Sequence, residues 1–277
     1  MFFLISICLL LGSVYIWLYR KVSSHIPENY PDAQNRQKID PTKNVLVCFG
    51  DSNTHGNVSY NWVDDLVKLL PDFQIFNAGK NSDLTYTLLQ RIDDVIACKP
   101  DYITILIGTN DVNATMGKKM EKRYQSLGKI GKDISPNFED FKRNYIEIIR
   151  QLKQQTKAKI GIMSLPVMGE DLAHEVNLKA DKYSDFIKEL AADEQIIYLP
   201  VREKQKEFLI KNSKPLKDTF EETYKLLNFS VMRHELLGQT WDEITTKHCF
   251  QLTPDNLHQN SISGGIIRDL AGSLLHD

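Results

Sequence analysis

Five short apolar runs recur along the chain, separated by longer stretches with helical periodicity, and this rhythm limits the fold more than any other feature. The runs are residues 45–49 (VLVCF), 73–77 (FQIFN), 102–107 (YITILI), 159–164 (KIGIMS) and 195–198 (QIIY). They are too short for buried helices, and several are rich in β-branched residues. They read as strands covered on both faces. Helical patterns fill residues 61–70, 84–97, 138–153, 178–192 and 262–275, the first two stopping before Pro71 and Pro100. Strand and helix alternating at short spacing predict a parallel sheet. Right-handed crossovers then give a three-layer α/β/α, doubly wound fold. In such folds ligands sit beyond the carboxyl ends of the strands.

The first 21 residues stand apart. Phe2 to Tyr19 carries no charged side chain, and Arg20 and Lys21 follow at once. A run of this length is near the lower limit for a membrane-spanning helix, with Tyr15, Trp17 and Tyr19 placed like an interfacial belt. No basic residue precedes the run and no small-residue cleavage site follows it, which favours an uncleaved single-pass transmembrane anchor over a signal peptide. The side of the membrane is left open. Residues 22–44, polar with three prolines, read as a linker. A single folded domain is then expected over residues 45–277.

Hydrophobic residues make up 42% of the chain and charged residues 25%, enough apolar material for a core without a disulfide framework. A net charge of −2 gives no basic face for nucleic acid. The four cysteines match neither a metal pattern nor a CxxC pair, and read as small buried hydrophobes.

The polar clusters fall where the fold expects a site. The first strand runs into Gly50-Asp51-Ser52-Asn53, the second into Asn77-Ala78-Gly79, and the third into Gly108-Thr109-Asn110-Asp111. Far along the chain stands Asp255-Asn256-Leu257-His258. An aspartate three residues before a histidine can hold the imidazole Nδ1–H and leave Nε2 free to take a serine proton. A serine needs such a base, because its hydroxyl alone is a weak nucleophile.

Together these four blocks resemble the SGNH hydrolase family, also called GDSL esterases and lipases. The resemblance covers roughly residues 44–276, outside two insertions at about 112–137 and 203–247. It implies Ser52 as nucleophile, His258 as general base and Asp255 as the residue orienting it. It also implies an oxyanion hole formed by the Ser52 and Gly79 backbone N–H groups and the Asn110 side-chain amide. No metal and no cofactor are called for. The implied reaction is cleavage of an acyl ester, lipid or lysophospholipid-like, through an acyl-serine. The small-molecule or lipid substrate would be met at the membrane held by the N-terminal helix. A carbohydrate O-acetylesterase, an acyltransferase and a non-catalytic binding module on the same fold remain alternatives.

Two departures from the family pattern stand out. Asn256 occupies a place that glycine commonly takes, and Gln259 one that proline commonly takes. Asparagine tolerates the left-handed conformation, so the turn is expected to survive. Gln259 lacks proline's rigidity. Lys80 near the crevice suggests a taste for anionic esters, and His55 is a candidate pocket residue. The chain has no G-x-S-x-G elbow and no H-E-x-x-H, which argues against an α/β-hydrolase and a zinc protease.

Overall fold

A computed structural model describes residues 12–13, 16–17, 20, 22, 25–215 and 219–276. Strand β1 (Asn44–Gly50) is followed by the short helix α1 (Ser52–His55) and by α2 (Trp62–Leu69). Then come β2 (Phe73–Gly79), α3 (Thr85–Leu89), α4 (Ile92–Ile96) and β3 (Tyr102–Leu106). Next are α5 (Thr109–Ala114), α6 (Lys118–Ser126), α7 (Phe138–Gln155) and β4 (Lys159–Met163). The chain continues through α8 (Glu175–Asp193), β5 (Ile197–Leu199), α9 (Val201–Lys211) and α10 (Thr223–Leu237). It closes with α11 (Trp241–Lys247) and α12 (Ser261–Ser273). The five strands are parallel, in the order β2-β1-β3-β4-β5.

Alternation along β1 sorts its side chains into two apolar layers, because successive residues of a strand face opposite ways. Val45, Val47 and Phe49 join the layer under α3, α4, α7 and α8. Leu46 and Cys48 join the layer under α2 and α12, with Trp62, Leu66 and Ile267. This is the three-layer arrangement expected of short runs with apolar residues on both faces. Cys48 and Cys98 lie in the core, and Cys249 is half-buried.

One element differs from expectation. The helix read over residues 84–97 is two short helices, broken at Gln90 and Arg91. Arg91 adopts non-helical φ −121° and ψ 20°, while its guanidinium reaches back to the ends of β1 and β2.

The transmembrane helix, and with it the membrane location, is corrected. Among the described residues no helix is long and apolar enough to cross a membrane. Spanning needs roughly 20 consecutive apolar residues. The longest described helices, α7 and α8, are amphipathic and lie on the sheet with charged outer faces. Most of residues 1–21, on which that expectation fell, lie outside the described residues.

Candidate active site

The site lies at the carboxyl ends of β1, β2 and β3. Gly50 ends β1 against β3 so closely that a Cβ there would stand 2.4 Å from the Leu106 carbonyl. The chain then turns into α1, whose N-cap Asp51 accepts the Asn53 N–H at 2.9 Å. Ser52 is the first helical residue, so its own N–H has no intrahelical acceptor.

His258 arrives from the loop before α12. Its Nε2 is 3.0 Å from Ser52 Oγ, and its Nδ1 is 2.8 Å from Asp255 Oδ2. Asp255 is fully buried, and its Oδ1 accepts the backbone N–H groups of Leu257 and His258 at 3.0 and 2.9 Å. The carboxylate beside Nδ1 keeps the proton there. Nε2 is left as acceptor for the Ser52 hydroxyl. Ser52 thus meets a pair more than 200 positions along the chain, in the geometry expected of nucleophile, base and orienter.

The loop that carries His258 is held from several sides. Asn256 sits at φ +73°, the conformation read for it from the sequence. Gln259 is buried, and its side-chain amide donates to Asn53 Oδ1 at 3.2 Å and its Oε1 accepts from Gln205 at 3.2 Å. A hydrogen-bonded glutamine therefore ties the His258 loop to the Ser52 turn where proline would have stiffened the backbone. Glu170, after β4, accepts backbone N–H bonds from Gln251, Leu252 and Thr253 at 2.7–3.2 Å. No local sequence signal marks Glu170, since only the fold brings it to that loop.

Two of the oxyanion candidates, Asn110 and Gly79, are engaged within the protein. Asn110 Nδ2 donates to the Asp83 carbonyl at 3.0 Å and to Asp51 Oδ2 at 3.2 Å. Its Oδ1 accepts the Tyr124 hydroxyl at 2.6 Å. The Gly79 N–H donates to Asn77 Oδ1 at 3.0 Å. A Cβ at Gly79 would stand 2.2 Å from His55 N, so only glycine lets β2 and α1 approach this closely. His55 faces away into a stack with His25, and its Nδ1 meets Asn81 Oδ1 at 3.0 Å. Lys80 lies 4.7 Å over the Tyr30 ring, engaged with an aromatic face.

Both insertions reach this region. Tyr124 of α6 holds Asn110, while Tyr224 of α10 accepts from Asn113 Nδ2 at 2.7 Å. Ser52, His258 and Asn110 are left only 7%, 6% and 8% exposed. Two clefts, one lined by Phe138, Lys142 and Asp185 and one by Lys204, Phe208 and Ile266, include none of these three residues. Among the described residues no group of three or more His, Cys, Asp or Glu side chains is arranged for a metal ion.

A family model described as GDSL-like lipase/acylhydrolase matches residues 48–227. The chain belongs to this family. It is accordingly an ester-bond hydrolase. Among solved structures it is similar to the acetyl xylan esterase AlAXEase, at 20% identity and TM-score 0.58, covering 83% of this chain and 98% of that one. It is also similar to Axe2, an acetylxylan esterase from Geobacillus stearothermophilus, at 16% identity and TM-score 0.57, covering 86% and 97%. A third is LAE5, an α/β hydrolase enzyme from the metagenome of Lake Arreo, Spain, at 17% identity and TM-score 0.56, covering 84% and 94%. At these identities the likeness is one of fold. A comparison with curated proteins finds no match.

Electrostatics separate the acids from the base. Burial pushes the Asp51 carboxyl up to about 7 against the pull of the Asn53 N–H, and pushes Asp111 up to about 6. For His258, burial alone would lower the pKa. The Asp255 charge and hydrogen bond, with Asp51 behind, outweigh it and raise the pKa above the ordinary 6.5. Were His258 the base, it would have to be unprotonated to act, and activity would fall as pH drops through this raised value. The kcat/KM of this esterase between pH 5 and 9 is expected to show its acid limb above pH 6.5. A limb centred below 6 would contradict the placement of Asp255 against the imidazole.

Proposed function

We propose that this hydrolase removes short acyl groups, acetyl above all, from a polyhydroxylated alcohol such as a carbohydrate. The single observation that carries the reading is that Ser52 is only 7% exposed beside an assembled His258–Asp255 pair, with a tyrosine of each insertion bonded to the neighbouring Asn110–Asn113 segment. A long acyl chain needs an apolar channel leading from the nucleophile, whereas acetyl needs little more than the space above Ser52. The similarity in fold to acetyl xylan esterases points the same way.

In this reading His258 takes the Ser52 proton as Oγ attacks the ester carbonyl. Charge gathers on the carbonyl oxygen, where donors already in place lower the barrier. The Ser52 N–H is one donor, and the neighbourhood of Gly79 supplies another. Asn110 Nδ2 is the third, exchanging its longer bond to Asp51 for the oxyanion. Protonated His258 then gives its proton to the leaving alcohol. Water enters by the same route in reverse, with His258 again as base, and frees the acid and Ser52.

The test is an acyl-length series of p-nitrophenyl esters, followed by acetylated xylo-oligosaccharide and lysophospholipid, with Ser52→Ala as blank. Acetate is expected to exceed octanoate in kcat/KM by ~10-fold or more, since an enclosed pocket rejects extra methylenes by steric cost rather than by lost contacts. A preference for octanoate or lysophospholipid would sink the short-acyl reading and leave the serine mechanism standing.

A further inference from the structure

Arg91 is a largely buried cation that bonds the two strand ends beside the site and the Asp83 turn after β2. Its Nε donates to Asp83 Oδ2 at 2.7 Å, one terminal nitrogen to the Ala78 carbonyl at 2.7 Å, and the other to the Gly50 carbonyl at 2.8 Å. The guanidinium lies 4.9 Å over the Phe49 ring, and its side chain is 9% exposed. Gly50 precedes Ser52 by two residues, and Ala78 adjoins Gly79. The Asp83 main-chain carbonyl accepts from Asn110 at 3.0 Å, so the residue that Arg91 holds by its side chain holds the Asn110 amide by its backbone. The other Asp83 oxygen takes Lys129 Nζ at 2.6 Å, from the first insertion. The α3–α4 break falls at Arg91 itself.

We propose that Arg91 is a positioning residue for the oxyanion hole, a planar fork that fixes the ends of β1 and β2 and the Asp83 turn relative to one another. The proposal rests on the serine-esterase reading of Ser52 and Asn110. The geometry suits a guanidinium and no other side chain. Its donors diverge in one plane and satisfy three acceptors on three segments, where an ammonium offers one point of charge. Oxyanion stabilisation depends on donors set before the charge develops. A loosened frame therefore weakens the transition state more than it weakens ground-state binding. Arg91 touches neither Ser52 Oγ nor His258, so the base stays as it is.

The experiment uses the full chain with Arg91→Met and Arg91→Lys. A fluorophosphonate probe counts reactive Ser52, and kcat is expressed per labelled site, which removes any unfolded fraction from the comparison. Arg91→Met is expected to lower kcat per labelled site on p-nitrophenyl acetate by ~10²-fold, comparable to losing one oxyanion donor. KM should stay within ~3-fold, because uniform binding is not what is lost. The acid limb of the pH profile should not move. Arg91→Lys keeps a cation beside Asp83, so it tests the point even where the methionine variant does not fold. Its loss should be intermediate, ~10-fold. Native kcat per labelled site in either variant, or a loss borne by KM alone, overturns the proposal. Failure of the probe to label Ser52 in the native chain overturns the catalytic reading beneath it, and the two failures are told apart by that control.

Discussion

Ser52→Ala is expected to lower kcat by ~10⁶-fold while leaving the fold intact. The side chain is small, and among the described residues its hydroxyl bonds to His258 Nε2, so its removal opens no cavity of consequence. The nucleophile and base act as a unit, so losing one costs nearly what losing both would. The residue of activity, ~10³-fold over water, comes from donors and binding that survive. Measured as kcat on p-nitrophenyl acetate beside thermal melting, a variant with a native melting temperature and no turnover fits. Turnover within ~10-fold of native would remove Ser52 as nucleophile.

Asp255→Asn comes next, with an expected loss of ~10⁴-fold in kcat. The local bonding dictates the size. Oδ1 of Asp255 faces two backbone N–H groups, those of Leu257 and His258. An asparagine here must keep its oxygen on that side, which turns its NH₂ toward His258 Nδ1. Imidazole then accepts at Nδ1 and carries its proton on Nε2, where it meets the Ser52 hydroxyl as a donor and cannot act as base. The same substitution removes the charge that raises the His258 pKa. Whatever activity remains should have its acid limb moved to lower pH. A loss under ~10-fold, with the limb in place, would show that Asp255 does not orient the imidazole.

The sheet and its layers were legible because each strand is apolar on both faces and each helix has one apolar face. Those are local patterns that translate directly into burial. Ser52, Asp255 and His258 are read together through the resemblance to SGNH hydrolases, since converging strand ends alone give a crevice and the Asp-x-x-His spacing alone gives a weak pair. The break at Arg91 was not legible, since it answers to carbonyls 13 and 41 residues away. Nor were the roles of Glu170 and Gln259, polar residues whose partners are set by loops meeting in space. Residue propensity gives such groups to the surface, and only the folded chain reveals the unpaired N–H groups they satisfy. The N-terminal run shows the opposite error. Hydropathy alone suggested a membrane span, and no described helix has the length and apolar character that a span requires.

Tyr124 on Asn110 has a consequence for how such a protein can change its taste. Insertions between core elements are the parts that vary most easily, and exchanging them is the ordinary way to reshape a pocket while leaving chemistry alone. Here the first insertion supplies the hydroxyl that fixes the amide oxygen of Asn110. A new insertion without an equivalent hydroxyl would remove one of the bonds that hold that amide, so with Asn110 as the proposed oxyanion donor the wall of the pocket and the rate of turnover would be inherited together.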